Sequence, residues 1–107
     1  MKTDSFKDFV MDQLQRMPGV RAKAMFGGHG LYNGNNFFGI IYKGKLYFRT
    51  GPKTVSRYKQ AGMKPFKPNA KMTLKNYYEV PVEVLEDPYQ IMVWAAEAEQ
   101  AQSDNSP

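Results

Sequence analysis

The N-terminal part of the chain has the apolar spacing of a helix. Large apolar side chains recur every three or four positions, which places them on one stripe of an α-helix. They are Phe6, Phe9, Val10, Leu14 and Met17. Ser5 is predicted to cap the start of this helix, and Pro18-Gly19 to end it. The apolar stripe is expected to cover a sheet formed by the residues that follow.

From residue 20 the apolar positions alternate with polar ones, as in strands. In the first predicted strand the apolar set Val20, Ala22, Ala24 and Phe26 alternates with Arg21, Lys23 and Met25. A second strand starts at Leu31, a third runs from Phe37 to Tyr42, and a fourth from Lys45 to Thr50. These strands predict an antiparallel meander.

Turn residues separate the predicted strands. The segment GGHG, with Gly27, Gly28 and Gly30, is predicted to reverse the chain, since glycine tolerates positive φ. Asn33-Gly34 favours a type I′ hairpin turn, and Lys43-Gly44 a second tight turn.

The C-terminal half predicts two helices, one helical turn and one strand. A short helix follows Pro52 and ends near Gly62. The basic stretch from Met63 to Ala70 contains two prolines and is interpreted as an irregular connection. Met72 to Val80 is the last strand, and Pro81 to Leu85 one helical turn. Asp87, Pro88 and Gln90 then predict the capped start of a helix. Its apolar stripe consists of Ile91, Trp94, Ala95 and Ala98.

The predicted fold is α+β. It has an antiparallel sheet of four or five strands covered by the N- and C-terminal helices, with a short helix before the last strand. Residues 1–102 form one domain, and residues 103–107 a disordered tail. No signal peptide or membrane span is predicted.

Several motifs resemble one known family. MFGGHGLY, then FFGIIYKGKLYFRT, and later YYEVP with its WA-containing helix are similar to the N-terminal domain of TfoX/Sxy bacterial competence regulators. The resemblance runs from about Phe6 to Gln100. The matching motif positions are Met25, Phe26, Gly27, Gly28, Gly30, Tyr32, Gly39, Gly44, Leu46, Tyr47, Tyr78, Pro81 and Trp94.

The resemblance implies a function and a partner. It implies a non-enzymatic, cytoplasmic regulatory module for DNA transformation. Such a module works with a protein partner, a transcriptional activator of the cAMP-receptor type. Longer members of the family carry a second, helical C-terminal domain, and this chain is expected to be a stand-alone first domain.

Charge suggests an alternative function. The net charge is +5, yet residues 13–78 contain no Asp or Glu. The candidate patch for a polyanion or an acidic partner is Lys43, Lys45, Arg49, Lys53, Arg57 and Lys59. Either the acidic C-terminal helix neutralises this segment, or a basic face points outward and makes the protein a small nucleic-acid-binding protein.

No residues form a recognisable catalytic, metal or cofactor site. The chain has no cysteine, and His29 is its single histidine. GGHG lacks the lysine of a phosphate-binding loop. Tyr32, Phe38, Tyr42 and Tyr47 are either packed in the core and on the sheet, or stacking platforms for bases. The sequence leaves both interpretations of these rings open.

Overall fold

A computed structural model of the chain describes residues 2–25 and 27–104, with side chains for residues 5–25 and 27–101. The helices are α1 (Lys2–Gln13), α2 (Val55–Gln60), α3 (Val82–Leu85) and α4 (Pro88–Asp104). The strands are β1 (Val20–Met25), β2 (Gly28–Asn33), β3 (Asn36–Tyr42), β4 (Lys45–Arg49), β5 (Pro65–Asn69) and β6 (Met72–Glu79).

The strands form one antiparallel sheet in the order β1-β2-β3-β4-β6-β5. The α+β class and the meander are confirmed, and the sheet has six strands where four or five were predicted. The additional strand is β5, so the interpretation of residues 63–70 as an irregular connection was wrong. That interpretation was based on Pro65 and Pro68, which lack a backbone N–H. β5 is an edge strand, where a missing backbone donor is tolerated.

One β-bulge decides which side chains of β3 share a face. Leu31 pairs with Gly39 and Tyr32 pairs with Phe37, which leaves Phe38 as the extra residue. Phe38 is therefore fully buried in the helix-covered core. Phe37 and Ile40 both contribute to the opposite face instead. The bulge thus breaks the simple alternation of β3.

The hairpin turns follow the sequence only in part. Lys43 and Gly44 have φ of 51° and 74°, as the central pair of a type I′ turn requires. The other loop lies one residue later than predicted, because Asn33 pairs with Asn36. Positive φ there occurs at Gly34 alone, 64°, so this is not a type I′ turn. At the first reversal Gly27 has φ of 80°, while Gly28, His29 and Gly30 already belong to β2, contrary to the prediction of a longer turn.

Helices α1, α3 and α4 cover one face of the sheet. The main core joins Val10 of α1, Leu14 directly after α1, Ile91 and Ala95 of α4, and Phe48 of β4, each 0–1% exposed. Alanines on α4 let this helix approach the strands closely. α1 starts at Lys2, so Ser5 lies inside the helix and is not its cap. No helix-breaking residue stands before Ser5, and the helix extends by one turn.

Two helix ends carry the predicted capping residues. The Asp87 carboxylate accepts hydrogen bonds from the backbone N–H groups of Tyr89 and Gln90 at 2.9 and 3.1 Å. After α2, Gly62 N–H donates to the Lys59 carbonyl and Met63 N–H to the Tyr58 carbonyl, each at 3.0 Å, which is a Schellman motif.

α4 continues through Ser103 and Asp104, the first two residues of the predicted disordered tail. The rest of that tail, residues 105–107, lies outside the described residues, as does Phe26 of the family motif. Within the described part of the chain, no helix is long and apolar enough to cross a membrane.

Candidate binding face of the sheet

The strand register places an aromatic and basic set of side chains on one face. Residues directly opposite each other on antiparallel strands share a face. One row across the sheet runs Lys23, Gly30, Ile40, Tyr47, Glu79. We call this side the helix-free face. Its residues are Arg21, Lys23, Met25, Gly28, Gly30, Tyr32, Phe37, Ile40, Tyr42, Lys45, Tyr47, Arg49, Tyr77 and Glu79.

A small second core lies on the helix-free face. Ile40, Phe66 and Tyr77 are its buried members, at 1%, 1% and 6% exposure. No described helix contributes to this cluster, whose other members come from the strands. Phe66 reaches the cluster from β5, beside a large irregularity in the β5–β6 pairing. The β5–β6 hairpin at the edge of the sheet therefore bends over one end of the helix-free face.

Two glycines make room for rings on this face. A Cβ at Gly30 would lie 2.6 Å from Met25 Sδ, 2.9 Å from Phe37 Cε1 and 3.1 Å from Tyr32 Cε1. A Cβ at Gly28 would lie 2.2 Å from the Ile41 carbonyl oxygen. These side chains thus lie directly over glycine backbone. The glycines of the MFGG motif shape this surface as well as the turn.

The rings on the face touch one another in two groups. Phe37 lies 5.1 Å from Tyr32 and 5.5 Å from Tyr77 between ring centroids. Phe66 lies 5.4 Å from Tyr42 and 4.8 Å from Tyr47. Such contacts fix the rings relative to one another. The rings of Tyr32, Phe37, Tyr42 and Tyr47 are half-buried, so part of each remains open to solvent.

Basic side chains surround these rings. Arg49 lies over the Tyr77 ring with its Cζ 5.6 Å from the centroid, and Lys43 Nζ lies 5.4 Å from the centroid of Tyr42. Glu79 is the single acidic residue among the six strand sequences. Its carboxylate is 3.9 Å from Lys45 Nζ, a loose pair. The face therefore keeps a positive balance.

Two hydroxyl groups on the face are held protonated. Burial raises the pKa of Tyr47, and the charge of Glu79 adds to this shift. Burial also raises the pKa of Tyr77, against the opposing effect of Arg49. The Tyr77 hydroxyl and Arg49 Nε are buried without a well-aligned hydrogen-bond partner among the described residues. The Tyr77 hydroxyl can accept as well as donate, and a hydrogen bond from Arg49 is one of the effects that oppose the rise of its pKa.

The predicted basic patch does not form one surface. Lys45 and Arg49 lie on the helix-free face, with Lys43 in the adjoining turn. Lys53, Arg57 and Lys59 lie on or before α2, whose Tyr58 packs into the core on the opposite side. The sequence alone could not separate the two groups, because the sheet lies between them.

The acidic helix α4 neutralises part of the basic segment. Arg57 forms an ion pair with Glu97 and lies 4.4 Å from the Trp94 ring centroid. Glu99 accepts hydrogen bonds from the Asn33 amide at 3.3 Å. α4 therefore neutralises Arg57 but leaves the helix-free face with a positive balance.

The family motif divides between the two sides of the sheet. Met25, Gly28, Gly30, Tyr32 and Tyr47 are on the helix-free face. On the core side, Leu46 is buried, Gly39 packs against Leu31 and Phe48, and Tyr78 lies 6.1 Å from Tyr58. Gly27 and Gly44 shape turns, Pro81 precedes α3, and Trp94 packs 4.8 Å from Tyr58.

Four residues of the face were missed as candidates: Arg21, Lys23, Phe37 and Tyr77. The polar positions of β1 were a usable signal for the first two. Placing Phe37 and Tyr77 on this face would have required knowledge of the bulge in β3 and of the β4–β6 register, which the sequence does not show. His29 lies in β2 opposite Ala24 and Ile41. Among the described residues no group of three or more His, Cys, Asp or Glu could hold a metal ion.

The geometry defines a small α+β domain whose antiparallel sheet is covered by helices on one face. Comparison with known proteins makes this more specific. The family described as the TfoX N-terminal domain matches residues 12–102, so the chain belongs to that family, and the resemblance seen in its motifs is confirmed.

A characterised relative shares part of this domain. The chain is 37% identical over 60 residues to the DNA transformation protein TfoX1 of Aliivibrio fischeri. The match covers 54% of this chain and 29% of the relative. The chain therefore spans less than a third of the relative's length.

Proposed function

We propose that this domain is a non-enzymatic, cytoplasmic regulatory module of DNA transformation. It acts in transcription regulation by binding a protein partner. The observation that carries the proposal is membership of the TfoX N-terminal domain family, together with the match to a DNA transformation protein.

The partner surface that we propose is a group of exposed lysines at the β5 edge of the sheet. We call it the basic edge, and it consists of Lys59, Lys64, Lys67, Lys71 and Lys75. α2 packs against β6, which brings Lys59 to the same side of the molecule as the β5–β6 hairpin. No ion pair engages these lysines among the described residues. An acidic surface of a cAMP-receptor-type activator is complementary to them.

Transformation of Aliivibrio fischeri tests this function. In a strain lacking TfoX1, a chimera carries this chain in place of the region that it matches. We expect the chimera to restore transformation. Lys67→Glu with Lys71→Glu should abolish this activity and the capture of a purified activator. The matched control is Arg16→Glu, an exposed base after α1 near the other edge of the sheet, which should retain both.

The proposal fails if the folded chimera does not restore transformation and binds no activator. If the chimera restores transformation, and the Lys67→Glu, Lys71→Glu variant does so as well as the Arg16→Glu control, the proposed function is supported but the basic edge is not the partner surface. A thermal unfolding curve of each variant shows that the fold is intact.

A further inference from the structure

We propose that the helix-free face binds single-stranded DNA, with aromatic rings stacking on bases and basic side chains holding phosphates. This inference does not rest on the proposed protein partner, although the basic edge adjoins this face at the β5–β6 hairpin. It rests on three features of the face: partly open rings in fixed positions, a positive balance of charge, and an apolar slot beside one ring.

The rings are arranged as stacking platforms. Single-strand binders combine aromatic rings with a positive surface along the backbone. Here Tyr32 and Phe37 lie over Gly30, and the ring of Tyr42 lies 3.2 Å from the position of a Cβ at Gly28. Each ring has protein on one side and solvent on part of the other.

The charge on the face suits a polyanion. The face has four basic side chains around the rings, Arg21, Lys23, Lys45 and Arg49. Its one acidic strand residue is Glu79. Arg49 has no acidic partner in the described part of the chain, and its guanidinium lies beside the ring and hydroxyl of Tyr77. A phosphate oxygen is an acceptor that suits this guanidinium.

An apolar slot lies next to Tyr42. A cavity of about 190 Å³ is lined by Tyr42, Pro68, Asn69 and Met72. Met72 is 42% exposed, so its side chain is open to a ligand in this cavity. Lys43 stands over the Tyr42 ring at the same end of the face. The slot offers an apolar wall to a base and a cation to its phosphate.

These features favour single strands over duplexes. In a duplex the bases stack on one another and their faces are not available to protein rings, whereas a single strand exposes them. We commit to DNA because the relative is a DNA transformation protein. A duplex would be held by its phosphates alone.

Fluorescence anisotropy with labelled oligothymidylate tests the proposal. A length of about 12 nucleotides lies within the site sizes of roughly 4–16 nucleotides found in other single-strand binders. We expect the full chain to bind it more tightly than a duplex of equal length at low salt. The salt dependence should have a slope of about −3 on logarithmic axes, as expected when four phosphates are neutralised.

The variants separate stacking from charge. Tyr32→Leu and Tyr42→Leu should each weaken binding by roughly 5- to 150-fold, the range for loss of one stacked base. Lys45→Gln should reduce the salt slope by about 0.7. The matched controls are Tyr89→Leu, a 69% exposed ring on α4, and Arg16→Gln, an exposed base after α1. Both controls should bind like the unchanged protein, and circular dichroism checks each fold.

Three outcomes would overturn the proposal. Equal affinity for duplex and single strand, unaffected by ring removal, would show phosphate attraction alone. Absence of binding at low salt would leave the face to an acidic protein surface. Tighter binding of oligouridylate than of oligothymidylate would make RNA the ligand. The proposal is supported if oligothymidylate binds more tightly than the duplex and if the ring variants weaken this binding while the control variants do not.

Discussion

Replacing Gly28 by alanine should destabilise the domain more than the same change at Gly30. Neither glycine has a positive φ, so the effect is steric. At Gly28 the new Cβ would lie 2.2 Å from the Ile41 carbonyl oxygen, which is backbone of the neighbouring strand. At Gly30 its nearest contact is the end of the Met25 side chain, at 2.6 Å. Backbone yields less readily than the end of a flexible side chain.

The magnitudes follow from what must move. For Gly28→Ala, β2 and β3 have to separate by about 1 Å. This displacement costs about 1–3 kcal/mol, and about two weakened ladder hydrogen bonds add about 1 kcal/mol each. For Gly30→Ala, displaced side chains cost about 1–3 kcal/mol. Either change regains about 0.4–1 kcal/mol by restricting the unfolded chain. We therefore expect net losses of about 2–4 kcal/mol for Gly28→Ala and about 1–2 kcal/mol for Gly30→Ala.

Urea denaturation followed by circular dichroism measures these losses. With a slope of about 2 kcal/mol per molar urea, Gly28→Ala should lower the midpoint by about 1–2 M. Gly30→Ala should lower it by about half as much. A Gly28→Ala protein that is as stable as the unchanged chain would refute the close approach of β2 and β3. An inverted order would refute the distinction between backbone and side-chain contacts.

Three further predictions concern the helix-covered side. Burial raises the pKa of Tyr58 in the folded chain. Above pH about 10 the unfolded chain loses this proton while the folded chain keeps it, so the stability of the domain declines as the pH rises further. Tyr58→Phe should reduce the alkaline loss of stability by up to about 1.4 kcal/mol per pH unit, measured by urea denaturation between pH 9 and 11. Hydrogen bonds from Gln90 lower the pKa of Asp87, so its stabilising effect is fully present above pH about 4 and is lost as the pH falls further, through the lowered pKa. Asp87→Ala should remove that step in the melting temperature. Ile91→Ala in α4 should cost about 2–5 kcal/mol, and a melting curve unchanged by it would contradict the placement of α4.

The sequence predicted those elements whose signals are local. The Lys43-Gly44 turn, the Asp87 cap and the Gly62 helix end depend on residues within a few positions of one another. β5 was missed because its two prolines are compatible with a strand only at an edge, and position in the sheet is not a local property. The start of α1 was misplaced because a good capping residue, Ser5, can also lie inside a helix.

The candidate surface was predictable only in part. Simple alternation groups Phe38 with Tyr42, yet the bulge at Phe38 turns that ring into the core and leaves Phe37 on the helix-free face. Arg49 and Arg57 are close in sequence but lie on opposite sides of the sheet. Long-range pairing decides both outcomes, and the identities of the residues do not reveal it.

The most direct test of the helix-free face as a binding surface is chemical-shift mapping. Backbone amide signals of the ¹⁵N-labelled chain are followed while oligothymidylate is added at low salt. We expect the largest changes in β1 to β4 and around Met72, and little change in α4. Changes concentrated in α2 and α4, with the strands unaffected, would contradict the assignment of this face.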